Sequence, residues 1–406
     1  MLRKPMTKPL TVEVAIVGGG PAGLTAAIAL AEAGIETALI ARRAPPDHRT
    51  TALLSGSVTA LETLGVWAGC AREAAPLRVM RIVDATARLV RAPEVRFAAS
   101  EIGLDAFGHN IENRHLLTAL DARACTLPSL TRLEDEARAV ETNETGVSIS
   151  LGGGDRIAAK LVIGADGRRS LCRTAAGIES DGHAYPQTAL TFNLVHARPH
   201  QDTSTEFHTE SGPFTLVPLP GDRSSLVCVV EPAEAERIAA LDDTVLNEEL
   251  EQRSHSILGR ITVEPGRGAF PLAVETVRSF GQSRIALVGE AAHLIPPIGA
   301  QGLNLGLRDA ATIGELVVSA RRNGGDVGGS DLLARYDTLR RADVKSRTFA
   351  VDLLNRTLLS GFLPVQSARG VGLYLLDRIG PLRRAVLREG VAPAASQPRL
   401  MRGEAL

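Results

Sequence analysis

The segment Val14 to Gly34, VAIVGGGPAGLTAAIALAEAG, constrains this chain more than any other, because an apolar strand-like run enters a glycine turn and leaves as an alanine-rich helical pattern. Gly18, Gly20 and Gly23 have the GxGxxG spacing. In that spacing the first glycine permits the tight turn, the second lets a pyrophosphate approach the backbone, and the third lets the helix pack on the strand. The N–H groups of the first helical turn lack intrahelical partners and, with the helix dipole, form an anion site. A second strand-like run, Thr37 to Ile40, follows, so the segment predicts the opening unit of a dinucleotide-binding domain.

Such a second strand usually ends in an acid, about 20 residues past the glycines, that binds the adenosine ribose. Ala41 stands there, followed by Arg42 and Arg43. Two readings are open at this point: a lost ribose contact in an FAD site, or an arginine pair for the 2′-phosphate of NADP.

Two distant segments add to the pattern. LVIGADGRRSLCR is a buried strand, Leu161 to Ala165, running into Asp166 and Gly167, with Ser170 and Arg173 at helical spacing. RIALVGEAAHLIPPIGAQGLNLGLRDA is a strand, Arg284 to Val288, then Gly289 and Glu290, a Pro296-Pro297 and glycine loop, and a helix predicted to start at Gly302 or Leu303. Together the three segments resemble the single-component FAD-dependent aromatic-ring monooxygenases, the p-hydroxybenzoate hydroxylase group, from about Val12 to about residue 350. Within that group the chain is most similar to the ubiquinone-biosynthesis hydroxylases, through HRTTALLSGSVTALETLGVW (48–67), IENRHLLTAL (111–120), SGPFTLVPLP (211–220) and GAQGLNLGLRD (299–309).

The resemblance implies roles for named residues. Gly18, Gly20 and Gly23 would hold the FAD pyrophosphate, Arg49 would lie beside the flavin, and Arg114 would contact the phosphate or ribityl region. Asp166, with Gly167, would touch FAD and the region where NAD(P)H works, while Glu290, after Gly289, replaces the usual Asp at a ribityl or ribose hydroxyl. The loop of Pro296, Pro297, Gly299, Gly302, Leu303 and Asn304 would line the flavin: the prolines stiffen it, the glycines leave room for the ring, and the helix start faces its pyrimidine edge. With FAD implied, Ala41 reads as a departure from the family pattern. The family has no separate nicotinamide domain, and no second GxGxxG follows a strand.

The implied reaction is hydroxylation of a phenolic ring with NAD(P)H and O2 through a flavin C4a-hydroperoxide, the substrate being a polyprenylated phenol of ubiquinone biosynthesis. The alternatives are a soluble hydroxylase of small aromatics in catabolism and, more remotely, a non-catalytic FAD-fold binding protein. No side-chain nucleophile is required. His293 reads as a structural residue behind the flavin loop, and no acid or base is assigned.

Other features have plainer readings. His196 and His200 are separated by Pro199, which argues against a helix presenting both to a metal, and no metal site is expected. Gly152 to Asp155 is a hairpin turn, Asn323 to Ser330 a flexible connection ending in a helix cap, and Ser55, Ser57 and Thr59 read either as pocket residues or as a capped helix start. The cysteines at 70, 125, 172 and 228 form no CxxC and read as reduced, buried thiols of a cytosolic protein. A formal net charge of −1 and 3% aromatic residues argue against a nucleic-acid partner.

The fold expected is α/β, with a discontinuous Rossmann-like FAD domain (1–75, 108–178, 281–350), a mixed-sheet substrate domain (76–107, 179–280) and a helical C-terminal region (351–406). The basic start MLRKPMTKPL lacks an apolar signal-peptide core, and no run of 18 apolar residues exists to span a bilayer. The C-terminal region mixes apolar positions with Arg369, Arg378, Arg383, Arg384 and Arg388. It reads either as a helical hairpin on the body or as a face for a membrane surface or biosynthetic complex, making the expected location cytoplasmic and peripheral on the inner membrane face.

Overall fold

A computed structural model describes residues 9–43, 47–86, 91, 93–297, 299–359, 378–391 and 397–406. In chain order, β1 (Leu10–Val17), α1 (Pro21–Glu32) and β2 (Thr37–Ile40) lead to β3 (Thr50–Leu54) and α2 (Ser55–Thr63). Next come β4 (Gly108–Glu112), α3 (Asn113–Ala124), β5 (Leu130–Leu133), β6 (Arg156–Gly164) and α4 (Leu171–Ala175). The long β7 (Ser180–His196) precedes β8 (Pro213–Leu219), β9 (Arg223–Val230) and β10 (Gly268–Val277). After β11 (Ile285–Leu287) the chain is helical in α5 (Gln301–Arg322), α6 (Ser330–Leu359) and α7 (Gly380–Val391).

The first sheet has a parallel centre in the order β11-β6-β1-β2-β5, extended by the hairpin of Ala137–Thr142 and Val147–Leu151 on β6. Its central strands are buried where β1, β2 and β6 meet, and α1 packs on them in contact with α3 and α5, itself buried almost without interruption from Ala22 to Ala31. The glycine turn works by contact distance. Gly18 has φ +115°, and a Cβ there would lie 2.1 Å from the Ala165 carbonyl oxygen; one on Gly23 would lie 2.1 Å from that of Gly18. Strand ends and helix therefore meet backbone to backbone, which draws the α1 N-terminus up to the edge of the sheet.

The second sheet is built on β7, which pairs antiparallel with β9 and β10, while β8 and β9 form a hairpin. It has apolar clusters of its own, one around Phe207, Phe214 and Leu226, another around Ala189, Leu272 and Val274. His293 and Leu294 pair with Thr276 and Glu275 of β10, so the segment after β11 is also a strand of this second sheet. A small third sheet joins β3, β4 and Ala74–Pro76.

Several expectations are refined. The helix of the third segment starts at Gln301, with Ala300 as a left-handed N-cap, one residue before the earlier predicted start. Helix α2 does begin at Ser55, but no side chain caps it; the N–H of its N-cap Leu54 instead donates to Asn304 Oδ1 at 2.8 Å. Cys70, Cys172 and Cys228 are buried, whereas Cys125 is exposed because it occupies the end of α3, where the chain turns at the surface. Gly152 to Asp155 forms the expected turn, closed by Gly154 N–H to Leu151 O at 3.0 Å. Among the described residues no helix is long and apolar enough to cross a membrane. Part of the C-terminal region, 360–377 and 392–396, lies outside the described residues.

Gly23→Ala forces a methyl against the Gly18 carbonyl and should destabilise the protein by about 1–3 kcal/mol. Thermal unfolding of the protein stripped of ligands measures this; an unchanged midpoint would show that the turn relaxes freely.

Candidate cofactor and substrate site

The C-terminal ends of β1, β6 and β11 open on a cavity of about 620 Å³. Gly20 to Gly23, Gly289 and Glu290 form its floor, and Asp47 to Thr51, Asn113 and Leu117 form a wall. Leu294 to Pro297, Gly302 and Leu303 close the far end, and residues of β7, β9 and β10 roof it. Two helices, α1 and α5, begin at this cavity, and neither has a side-chain cap or an acid in its first turn. Their unpartnered N–H groups are thus available to an anion or to negative charge. A Cβ built on Gly20 or Gly302 meets no atom within 4 Å, so both glycines leave open space where they line the cavity. A diphosphate at the α1 end and a flat ring system at the α5 end suit this donor set.

Arg49 is held by Asp47 through a forked pair, Nε to Oδ1 at 2.9 Å and Nη2 to Oδ2 at 2.7 Å. Burial pushes the Asp47 carboxyl up, but hydrogen bonds from Arg49 and Asn113 outweigh it and hold the group below its ordinary value. The Arg49 guanidinium lies 5.4 Å from the Phe270 ring centroid, joining the cofactor wall to the roof, and its charge is further stabilised by Glu290.

Among the residues singled out from sequence, Gly20, Gly23, Arg49, Gly167, Gly289, Glu290, Pro296, Pro297, Gly302 and Leu303 come together in the lining. Gly18, Arg114, Asp166, Gly299 and Asn304 stand outside it. Gly18 is packed under Ala165. Arg114 turns to Glu112, with Nε 3.0 Å from Oε2, and Glu112 in turn accepts from Arg223 of β9 at 3.0 Å. Asp166 accepts from the Ser170 hydroxyl at 2.6 Å and the Cys172 N–H at 3.1 Å, which fixes the start of α4. Asn304 is consumed in tying α5 to β3, donating to Ala52 O at 2.8 Å. The rings of His196 and His200 stack edge to face, and each bonds a backbone carbonyl.

A buried polar centre supports the far end. Asp309, wholly inaccessible, accepts from the Gly289 N–H at 2.9 Å, His293 Nε2 at 2.7 Å and Arg340 Nε at 2.6 Å. Burial alone would raise its pKa, but Arg340, His293 and the Gly289 N–H outweigh that and hold it low. His293 is therefore fixed from behind by Asp309, while it also lines the cavity. Neither Asp309 nor Arg340 was singled out from the sequence; the available signal was the adjacent charges of Arg308 and Asp309 within a largely apolar stretch of helix.

The sequence matches the protein family described as FAD binding domain over residues 11–349. It is 36% identical to ubiquinone hydroxylase UbiL of Rhodospirillum rubrum, across 96% of this chain and 92% of that protein. It is 33% identical to 3-demethoxyubiquinol 3-hydroxylase of Escherichia coli, across 93% and 97% respectively. Among solved structures, p-nitrophenol 4-monooxygenase PnpA from Pseudomonas putida aligns with a TM-score of 0.77 at 18% identity, covering 95% of this chain and 100% of that one, a likeness of fold.

Asp309→Asn should cost about 3 kcal/mol, because the buried Arg340 loses one of its two carboxylate partners and keeps Asp343 alone, 2.7 Å from its Nη1. A carboxylate with a depressed pKa stabilises the fold fully above its unfolded value, about 3.9, and loses that contribution as pH falls through the folded value. Chemical denaturation across pH should therefore show a constant gap between wild type and variant above about pH 5 that narrows below about pH 4. A gap independent of pH would remove the charge from the explanation.

Proposed function

The chain belongs to the FAD-dependent aromatic-ring monooxygenases, close to their ubiquinone hydroxylases, and from that premise we propose that it hydroxylates the ring of a polyprenylated phenol in ubiquinone biosynthesis, using NAD(P)H and O2. The observation that carries the substrate class is the character of the roof. Ala189, Val227, Leu272 and Ala273 of the roof, with Leu294 and Ile295 at the far end, give the cavity an apolar surface beside the neutral polar side chains of Thr191, Asn193 and Ser225. A free aromatic acid, the substrate class of the catabolic alternative, needs a buried cation as anchor. The arginines among the described lining residues are Arg49, paired with Asp47, and Arg168, 3.8 Å from Glu275.

When bound, FAD supplies the redox chemistry, accepting a hydride from NAD(P)H and activating O2 for transfer to an electron-rich ring. The protein's part is to bind, orient and keep water out. Gly20 and the first turn of α1 would hold the diphosphate, with Gly23 setting how closely the helix approaches. At the other end Gly302 and Leu303 present the α5 N-terminus, a position for negative charge worth about 0.3–1 kcal/mol when exposed and up to about 2 when partly buried. Pro296 and Pro297 have no N–H to satisfy and hold the loop stiff between β10's partner strand and α5. Arg49, Glu290 and Asn113 would meet the cofactor's polar middle. Excluding water from the reacting oxygen falls to the roof and this loop together.

A lipid-like substrate also gives a function to α7. Its buried side inserts Leu387 among Phe97, Phe107 and Val95, while Leu382 and Val386, with Ile379 just before the helix, are 42%, 46% and 43% exposed. With Arg384 and Arg388 close by, this row suits the surface of an anionic bilayer, where a prenylated phenol resides.

Gly302→Leu should place its side chain in the cavity, leaving FAD bound while NAD(P)H oxidation in the presence of a phenolic substrate yields hydrogen peroxide at the expense of product. The peroxide-to-product ratio reads this directly, and an unchanged ratio at unchanged turnover would take the loop out of the reaction centre. For the surface role, the double variant Leu382→Glu, Val386→Glu should lose co-sedimentation with phosphatidylglycerol vesicles and keep its FAD content. Equal sedimentation of variant and wild type would show that this face does not meet lipid.

A further inference from the structure

A second, smaller cavity of about 350 Å³ lies at the C-terminal ends of β2 and β5, lined by Arg42, Arg43, Glu134, Asp135, Glu136 and Arg138. Its place in the sheet is fixed: Ile40 pairs with Leu133, and the Ala41 N–H donates to the Leu133 carbonyl at 3.1 Å. It adjoins the glycine turn, since a Cβ on Gly19 would fall 2.7 Å from the Ala41 methyl. This is the strand end from which an acid usually reaches the adenosine ribose of a dinucleotide, and the Ala41 methyl cannot accept a hydrogen bond.

We propose that Glu136 performs this task from the turn after β5, so that the adenosine ribose of FAD is held by a carboxylate displaced from one strand end to its neighbour. The proposal rests on the reading of the main cavity as an FAD site. The Glu136 carboxylate is oriented by two cations, Oε2 lying 3.1 Å from Arg42 Nη1 and Oε1 lying 3.4 Å from Arg138 Nη1. A carboxylate has about four lone-pair sites, so two remain for a pair of ribose hydroxyls. Asp135 is differently engaged: its carboxylate accepts from the Gly153 N–H at 3.1 Å and the Glu136 N–H at 2.7 Å, closing the local turn. The Arg42 side chain is 75% exposed, and an ion pair this open contributes little to folding. The cluster is thus a prepared acceptor at a sheet edge built for ligands, and the fold does not require it.

The experiment is titration of the FAD-free full-length protein with FAD, followed by flavin fluorescence, alongside thermal unfolding of the same preparations. Glu136→Ala should raise the Kd for FAD roughly ten- to hundred-fold, the range for losing hydrogen bonds to a charged group, and leave the thermal midpoint of the FAD-free protein in place. Adding Ala41→Glu to that variant should restore binding, because it returns the acid to the usual strand end. An unchanged Kd in Glu136→Ala, a weakened Kd accompanied by a lowered midpoint, or a weakened Kd that Ala41→Glu leaves unrestored would each overturn the proposal. Failure of the wild type itself to bind FAD would overturn the underlying cofactor reading, and is distinguishable from all three.

Discussion

One buried carboxylate organises the far end of the cavity. Asp309 sits where three elements meet, and each of its partners comes from a different one: Gly289 from the strand end, His293 from the following loop and Arg340 from α6. A charge without access to water is tolerable only when its lone pairs are taken up and a counter-charge is near. Asp309 satisfies this by fixing the backbone of Gly289 and the ring of His293, the two ends of the segment that carries Glu290. Nearby, burial pushes the pKa of Arg308 down to about 10 even with Asp343 beside it, so further charge is packed into this helix interface at a cost. The stiffness of the loop is therefore supplied from behind, by electrostatics between α5 and α6, as well as by its own prolines.

What the sequence made legible was local steric demand. A glycine that must pass 2.1 Å from a carbonyl, or a proline pair before a helix, leaves a mark in the one-dimensional pattern, and the three strand-to-turn segments were readable for that reason. Side-chain direction leaves a fainter mark. Arg114 shows why: Asn113 and Leu117, four apart, share the helix face that lines the cavity, while Arg114 is rotated by about 100° and meets Glu112. Asp166 and Asn304 belong to the right motifs but use their polar atoms on the scaffold, Asp166 at α4 and Asn304 at β3. The Asp309–Arg340 pair spans 31 residues and two helices, a relation that no periodicity encodes.

The departures at positions 41 and 290 look different once the surroundings are visible. Glu290 is exposed within the lining, where a longer carboxylate has space and faces the charge of Arg49. Ala41 packs against Gly19, leaving the neighbouring turn to bring in acids. At 290 the carboxylate is kept and lengthened by one methylene, whereas at 41 it is absent and, under the proposal above, Glu136 would supply it.

The pairing of His293 and Leu294 with β10 makes the cofactor loop a strand of the roof. Along that edge the two halves of the molecule have no hinge, since parting them would break a ladder of backbone hydrogen bonds. On the opposite side, among the described residues, the half-exposed Arg49 lies across the ring of Phe270 and Asn193 donates to the His48 carbonyl at 3.1 Å. Rotamers exchange in picoseconds to nanoseconds, far faster than sheets open. Passage between Arg49 and Phe270 needs side-chain rotation alone, whereas parting His293 and Leu294 from β10 needs backbone hydrogen bonds to break.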